Sequence, residues 1–233
     1  MKKPYIKKFS EVSGFKVFIV DGDYIRDNID EEFTNFGQNY LFSFIPKNEF
    51  WIDKERVGWE YKYYINSMLT VNRLLAKGVS RSEAIKIADK EERSERAKSQ
   101  LVIKRIKLKE HPEKLIHSVH KDLLQKYSTK KVKVWIVSGE IVRDLFFIDF
   151  TEGGHGYVYD FVPKDEVWID DDIDLDEIKF ILLHELHERA LMSKGMKYDQ
   201  AHKSSSKIEY YCRKHPEEIN PELKKEIKKN DGN

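Results

Sequence analysis

Histidine and glutamate crowd a short segment in the later part of the chain, His184-Glu185-Leu186-His187-Glu188. Residues four apart lie on one face of a helix, with about 5–6 Å between their Cβ atoms, so His184 and Glu188 can bind one cation together. Glu185 lies one step around the helix, where its carboxylate can reach a water molecule on that cation. Histidine and carboxylate ligands suit zinc or iron(II) better than magnesium. The spacing therefore predicts a divalent-metal site, with zinc as the expected ion.

A second predicted helix, beginning near Tyr198, carries His202. The glycine at 195 marks the turn at which the two helices can fold back on each other. Three protein ligands and a water molecule form a catalytic zinc site. The predicted metal ligands are His184, Glu188 and His202, and Glu185 is the predicted general base.

Other residues leave alternatives open. His155 follows two glycines at a predicted hairpin tip, and we interpret it as a further ligand or an active-site group. His187 is an alternative to Glu188 as a ligand, and His202, next to Ala201, is alternatively a hydrogen-bonded core histidine. Glu209 aligns with Glu92 in an earlier, related stretch of the chain. We therefore interpret Glu209 as a structural residue or as a hydrogen-bond partner of a metal ligand.

This earlier copy shows which elements position the site. Residues 15–92 and 132–209 align without a gap at a shift of 117 positions, and 28 of the 78 aligned pairs are identical. An alignment of this length indicates a tandem duplication of one folding unit. Only the later copy has the candidate groups: His155, His184, Glu185, Glu188 and His202 stand opposite Gln38, Ser67, Met68, Val71 and Ile85. Shared positions therefore indicate scaffold, and the differing positions indicate a site.

Both copies show the same order of predicted elements. In the later copy, an apolar strand at 133–137 is followed by a glycine turn. Two extended stretches, 145–151 and 157–162, then predict a β-hairpin. A short strand at 166–170 precedes a helix that starts near Asp176. The pattern predicts a β-meander followed by a helical hairpin.

The predicted fold class is therefore α+β, a tandem repeat of two small units. The predicted domains are 1–110, a degenerate repeat unit plus a connector, and 111–233, the repeat unit with the candidate metal site. Asp53 and Asp170, present in both copies, are interpreted as turn or cap residues. The charged tail from Pro216 predicts an exposed last helix.

Two stretches of the later copy resemble known proteins. The segment His184–Glu188 is similar to the HExxH helix of zincin metallopeptidases, with Glu188 in place of the second histidine. Phe150–Asp170 and Phe180–His202 resemble a group of microbial and phage proteins that has no established activity. This resemblance implies a shared fold and a shared metal site.

The composition limits the binding partners and the cellular location that we expect. The formal net charge is +1, which argues against bulk electrostatic capture of nucleic acid or of an anionic membrane. A basic stretch, 104–131, leaves a nucleic-acid contact as a weaker prediction. The single cysteine, Cys212, excludes an internal disulfide and favours a reducing, cytoplasmic location. No apolar run has the length to span a bilayer, so no membrane partner is expected.

These observations predict a metal-dependent hydrolase, peptidase-like, with Glu185 accepting a proton from a metal-activated water. The alternative is a non-enzymatic binding module in which the His/Glu cluster only joins two helices. An open coordination position distinguishes the two, because structural zinc sites are closed by four protein ligands.

Overall fold

A computed structural model describes residues 3–56, 58–99 and 112–232. The chain divides into two compact units, Met1–Lys107 and Leu108–Asn233. The described residues contain two four-stranded sheets and eight α-helices, an α+β architecture consistent with two similar units. Among these helices, none has both the length and the apolar composition that crossing a membrane requires.

The first unit starts with two strands and ends with a pair of long helices. Its elements are β1 (Tyr5–Val12), β2 (Phe15–Val20), α1 (Gly22–Asn28), β3 (Phe36–Gln38), β4 (Glu49–Asp53), α2 (Tyr61–Ala76) and α3 (Arg81–Arg96). Ser80 caps α3 by accepting a hydrogen bond from the Glu83 amide, as its Ser-x-x-Glu pattern predicts.

The second unit repeats this order and adds a helix at each end. Its elements are α4 (Pro112–His117), β5 (His120–Leu123), β6 (Lys133–Val137), α5 (Gly139–Leu145), β7 (Gly153–His155), β8 (Glu166–Asp170), α6 (Ile178–Met192), α7 (Tyr198–Lys214) and α8 (Ile219–Asp231). The predicted helical hairpin is therefore present, as α6 and α7.

The sheets are not meanders. In the second unit the strand order is β5-β6-β8-β7, and β6 and β8 run parallel while both outer pairs are antiparallel. The first unit has the same order and directions. Parallel neighbours need a crossover connection, and α5, β7 and the turns around them make that connection.

The predicted β-hairpin around His155 is wrong for the same reason. Residues 145–151 form the end of α5 and turns, and 157–162 form turns, so only the three residues of β7 pair with the sheet. The apolar residues of both stretches pack as an aromatic cluster, in which Phe146 stacks on Phe161 and Phe150 contacts Tyr159. Burial of these side chains in the core is enough to explain why both stretches are apolar, although neither forms a strand.

Each sheet has an outer strand that lies before the aligned copies and was not predicted. Both strands attach to the sheet in the same way. Tyr5 of β1 donates a hydrogen bond to Glu49, which also accepts one from the Trp51 indole. In the second unit His120 contacts Glu166, which accepts from the Trp168 indole. The likeness of the units thus extends beyond the aligned residues.

Asp53 and Asp170 lie at turns, as predicted: the Glu55 amide donates to Asp53 Oδ1, and the Asp172 amide donates to Asp170 Oδ1. Each carboxylate is also fully buried in an ion pair. Arg143 Nη1 lies 2.6 Å from Asp170 Oδ2 and also donates to the Phe150 carbonyl. Arg26 makes the equivalent contacts with Asp53 and the Phe33 carbonyl. An ion pair removed from water requires such additional hydrogen bonds.

The last helix, α8, is packed rather than exposed. Ile219 and Leu223 are buried in the same core cluster as Leu183 of α6, and Asn230 donates to the Leu186 carbonyl. In the first unit, the equivalent face of α2 and α3 borders a groove of about 780 Å³. No helix among the described residues of that unit covers this groove.

We expect Asp170→Ala to lower the stability of the second unit by about 3 kcal/mol. The substitution leaves Arg143 buried without its main carboxylate, which costs about 3–5 kcal/mol, and the contact of Arg143 with Asp172 retains part of the compensation. Urea unfolding followed by hydrogen exchange of the β8 amides measures the loss. Asp160→Ala, at an exposed position, is the control and should change stability by less than about 0.5 kcal/mol. Equal stability of the two variants would contradict the assigned role of the ion pair.

Candidate metal centre

Helix α6 is held against the sheet by one apolar face. Leu182 and Leu186 are buried and belong to the same cluster as Val134 and Ile169 of the parallel strands. His184 and Glu188 lie off this face, one turn apart, and therefore face the neighbouring helix.

Helix α7 returns along α6 after a turn at Gly195. This glycine has a φ of +89°, a left-handed conformation that side chains rarely adopt, and it ends the first helix as predicted. Two small residues of α7, Ala201 and Ser205, are fully buried and allow the helices to approach closely. The approach brings His202 to His184 and Glu188.

Three donor atoms converge at this contact. His184 Nε2 lies 3.1 Å from His202 Nδ1, His202 Nδ1 lies 2.9 Å from Glu188 Oε2, and His184 Nε2 lies 3.6 Å from the same oxygen. Ligand atoms about 2.05 Å from a tetrahedral zinc are separated by about 3.3 Å. The triangle therefore has the size that a zinc ion requires, and the three residues fit the ion both in geometry and in donor type.

The charges of the cluster also suit a cation. Burial opposes the charged form of His184, but the carboxylates of Glu188 and Glu209 outweigh it and raise the pKa of His184 well above its ordinary value. Burial alone would raise the pKa of Glu188, but its contacts with His155, His184 and His202 hold that pKa below the usual range. The cluster thus holds a carboxylate and a proton that a divalent ion can replace.

Glu185 lies beside the triangle, on the side of β7. One carboxylate oxygen of Glu185, one of Glu188 and a ring nitrogen of His155 all lie within 4.8 Å of one another. Burial, and then the charge of Glu188, raise the pKa of Glu185 above its ordinary value. A carboxyl with a pKa of about 8 is mostly protonated near pH 7, so in the metal-free protein Glu185 can accept a proton only after it has lost its own.

His155 lies in strand β7 and is fully buried, rather than exposed at a hairpin tip. Its Nδ1 accepts a hydrogen bond from the Tyr157 amide, so in the neutral ring the proton lies on Nε2. Nε2 lies 3.2 Å from Glu188 Oε1, but it forms no aligned hydrogen bond with any described residue. Burial lowers the pKa of His155 more than Glu188 raises it. In this tautomer a proton, rather than a lone pair, lies on the ring nitrogen nearest to Glu188.

His187, the alternative ligand, points away from the triangle. Its Nδ1 lies 2.9 Å from Glu226 Oε1, and its Nε2 lies 3.0 Å from Ser204 Oγ. Both ring nitrogens are therefore occupied, Nδ1 by a residue of α8 and Nε2 by a residue of α7. Of the two alternatives, only Glu188 lies with His184 and His202.

The same place in the first unit is apolar. Val71, at the position of Glu188, is buried with Ala84 and Ala88, and Ile85, at the position of His202, packs against them. Met68, at the position of Glu185, is fully buried in the core of that unit. The two units thus share one fold but differ in the side chains between their long helices, and only the second unit has metal-binding groups at these positions.

Two features of the site were not predicted. Tyr198 stacks on His202, with ring centroids 5.3 Å apart and planes at 24°. Gly153 stands where the first unit has Phe36, and a Cβ there would lie 3.1 Å from Glu185 Cγ. The replacement of an aromatic residue by glycine was a sequence signal that could have indicated close packing of β7 against Glu185.

The site is reached from one side. The His202 side chain is 33% exposed, His184 is 13% exposed, and Glu188 is 4% exposed. The three residues supply one donor each, and tetrahedral zinc has a fourth position.

Comparison of the chain with protein-family models, curated proteins and solved structures gave no match.

We expect the metal-free protein to hold neutral His155 as the Nε2–H tautomer, because the Tyr157 amide can only donate to Nδ1. Long-range ¹H–¹⁵N correlation spectra of the histidine rings, recorded near pH 8 after chelation, report the tautomer directly. His155→Gln, which introduces the residue found at the equivalent position 38, identifies the signal by its loss. A proton on Nδ1 of His155 would contradict the assignment and return this ring to the set of possible ligands.

Proposed function

We propose that the second unit is a zinc-type hydrolase centre. His184, Glu188 and His202 hold a divalent ion, and Glu185 acts as the general base. The observation that carries the proposal is the triangle of donor atoms, with separations of 2.9–3.6 Å, formed by two helices whose first-unit counterparts meet through apolar residues. A helix face rich in histidine and glutamate is common, but three convergent donors at the spacing of a metal shell are not explained by solvation alone.

The chemistry assigned to each residue follows from its place. A bound zinc ion lowers the pKa of its water towards neutrality and polarises a carbonyl oxygen. Glu185, at the edge of the triangle, takes the proton of the attacking water and can return it to the leaving group. His155 Nε2 lies 3.2 Å from Glu188 Oε1, so the buried ring packs against the carboxylate that faces His184 and His202.

The number of ligands in the triangle favours a catalytic rather than a structural ion. A structural zinc ion is closed by four protein ligands, whereas the cluster of described residues around Glu188 Oε2 supplies three. The alternative, a module whose His/Glu cluster only joins α6 to α7, predicts binding without turnover. The likeness of His184–Glu188 to a zincin helix makes a peptide the substrate to test first.

We also infer that the two units arose by tandem duplication. The aligned sequence, the common sheet order and the paired ion contacts support this, since separate origins would not repeat all three. The proposed nucleic-acid contact through 104–131 stays a weaker prediction, and its residues 104–111 lie outside the described ranges.

We expect the purified protein to bind about one zinc ion per chain. The double substitution His184→Ala, His202→Ala should abolish this binding, because two of the three donors are removed. His187→Ala should retain it, since this ring faces Glu226 and Ser204. Metal analysis by mass spectrometry after equilibration with zinc measures all three proteins.

The first unit supplies a matched control for this experiment. Ser67→Ala and Ile85→Ala together alter the positions equivalent to His184 and His202 and should leave zinc content unchanged. A folded wild-type protein that binds no zinc, iron(II) or cobalt(II) would overturn the proposed centre. Zinc loss in His187→Ala but not in the double variant would overturn the ligand assignment.

We expect Glu185→Gln to retain zinc and to lower hydrolysis by about 100-fold or more, since general base catalysis contributes about 10²–10⁴-fold. The assay uses the zinc-loaded protein with a mixture of fluorogenic peptides and with p-nitrophenyl acetate. Met68→Gln, at the equivalent position of the first unit, controls for the amide itself, and circular dichroism confirms that it folds. Zinc binding with no hydrolysis of any probe by the wild type would favour the structural alternative.

A further inference from the structure

Both units contain the same buried chain of charges at the base of the helical hairpin. In the first unit, Arg96 Nη1 lies 2.8 Å from Glu60 Oε1 and Arg96 Nε lies 2.9 Å from Glu92 Oε1. In the second unit, Arg213 forms the same link between Glu177 and Glu209. Both arginine side chains are 1% exposed. Because the first unit has this Glu–Arg–Glu triad without any of the candidate ligands, the triad belongs to the fold and does not require a metal.

Only the second unit connects its triad to a histidine. Glu209 Oε2 lies 2.8 Å from His184 Nδ1, while Glu209 Oε1 receives hydrogen bonds from Arg213. The position of His184 in the first unit is Ser67, which has no ring to orient. The two carboxylate oxygens of Glu209 thus face two different groups, a fixed arginine and a candidate ligand.

This contact settles which ring nitrogen of His184 is available. An ionised carboxylate can only accept hydrogen bonds, so the proton of the neutral ring lies on Nδ1 and the lone pair on Nε2. Nε2 is the nitrogen that faces Glu188 and His202. A carboxylate that accepts from the non-ligating nitrogen of a histidine fixes the orientation and tautomer of the ring.

Arg213 prevents Glu209 from turning away. It binds Glu177 through two nitrogens, at 3.1 and 2.7 Å, and holds Glu209 Oε1 through Nε at 3.0 Å. Planar guanidinium pairing of this kind fixes geometry as well as charge. The orientation of His184 is therefore tied to the start of α6, where Glu177 lies, and to the end of α7, where Arg213 lies.

We infer that Glu209 is the positioning residue of the metal centre, and that the Glu177–Arg213 pair anchors it. The inference rests on the proposed metal ligands. In this arrangement the Glu177–Arg213 ion pair, through Glu209, holds the His184 ring in its metal-binding orientation before an ion binds. Less conformational entropy is then lost on binding. Loss of such a partner typically weakens metal affinity by about 10–100-fold.

The duplicated triad provides the test. Glu209→Ala and Glu92→Ala remove the same carboxylate from the same triad, so each should lower the stability of its own unit. Only Glu209→Ala should weaken cobalt(II) binding, by about 10–100-fold. Titration of the full-length protein with cobalt(II), followed by its visible absorption bands, gives the affinity, and thermal unfolding gives the stability.

A conservative variant separates positioning from folding. In Glu209→Gln a single oxygen remains, and the Arg213 guanidinium, which can only donate, takes it. The amide NH2 then donates to His184 Nδ1, so we expect a loss of affinity at least as large as in Glu209→Ala. The ¹H–¹⁵N spectra of the metal-free proteins, recorded at a pH that leaves the His184 ring neutral, should show its proton on Nδ1 in the wild type, on Nε2 in Glu209→Gln and on either nitrogen in Glu209→Ala.

The outcomes distinguish this inference from the proposed centre. Cobalt(II) affinity in Glu209→Ala equal to that of the wild type, or an equal loss in Glu92→Ala, would overturn the positioning role while leaving the ligands intact. A wild-type protein that binds no cobalt(II) would overturn the centre itself and the positioning role with it.

Discussion

The candidate site depends on the burial of one charged carboxylate. Glu188 is almost fully buried in the interior of a helical hairpin, where the first unit has Val71. An ionised group removed from water is costly unless it is paired and hydrogen-bonded. In this protein the compensation comes from imidazoles on three elements, His184 on α6, His202 on α7 and His155 on β7. Each of these elements must hold its position for the carboxylate to remain charged, so the site and the packing of the second unit are physically coupled.

The frame that holds these elements is common to both units. It consists of the mixed sheet, the buried Arg–Asp pair behind it and the Glu–Arg–Glu triad across the two long helices. None of these features includes His184, Glu188 or His202. Because these contacts lie outside the space between the two long helices, the same fold accommodates apolar side chains there in one unit and polar side chains in the other.

The long helices of the fold were predictable from the sequence, but the short helices α1 and α5 and the sheet connection were not. Helices α6 and α7 and the turn at Gly195 followed from local signals, namely apolar spacing and a left-handed glycine. The parallel pairing of β6 with β8 is set by a crossover whose residues pack through aromatic side chains without forming strands. Local periodicity does not distinguish an apolar run that pairs with a neighbour from one that only fills a core. The same limitation placed His155 on an exposed turn, whereas it is fully buried in β7.

The sequence by itself determined the candidate groups. Spacing placed His184 and Glu188 on one helix face, and the internal repeat separated residues of the frame from residues found only in the later copy. Tertiary structure decided the rest: that His202 meets this pair, that His187 turns to Glu226, and that Glu209 links His184 to Arg213. The physical reason is that helical spacing fixes directions within one helix. Which side chains meet across two helices depends on how closely and at what rotation the helices pack, and small buried residues such as Ala201 and Ser205 set that distance only after the chain has folded.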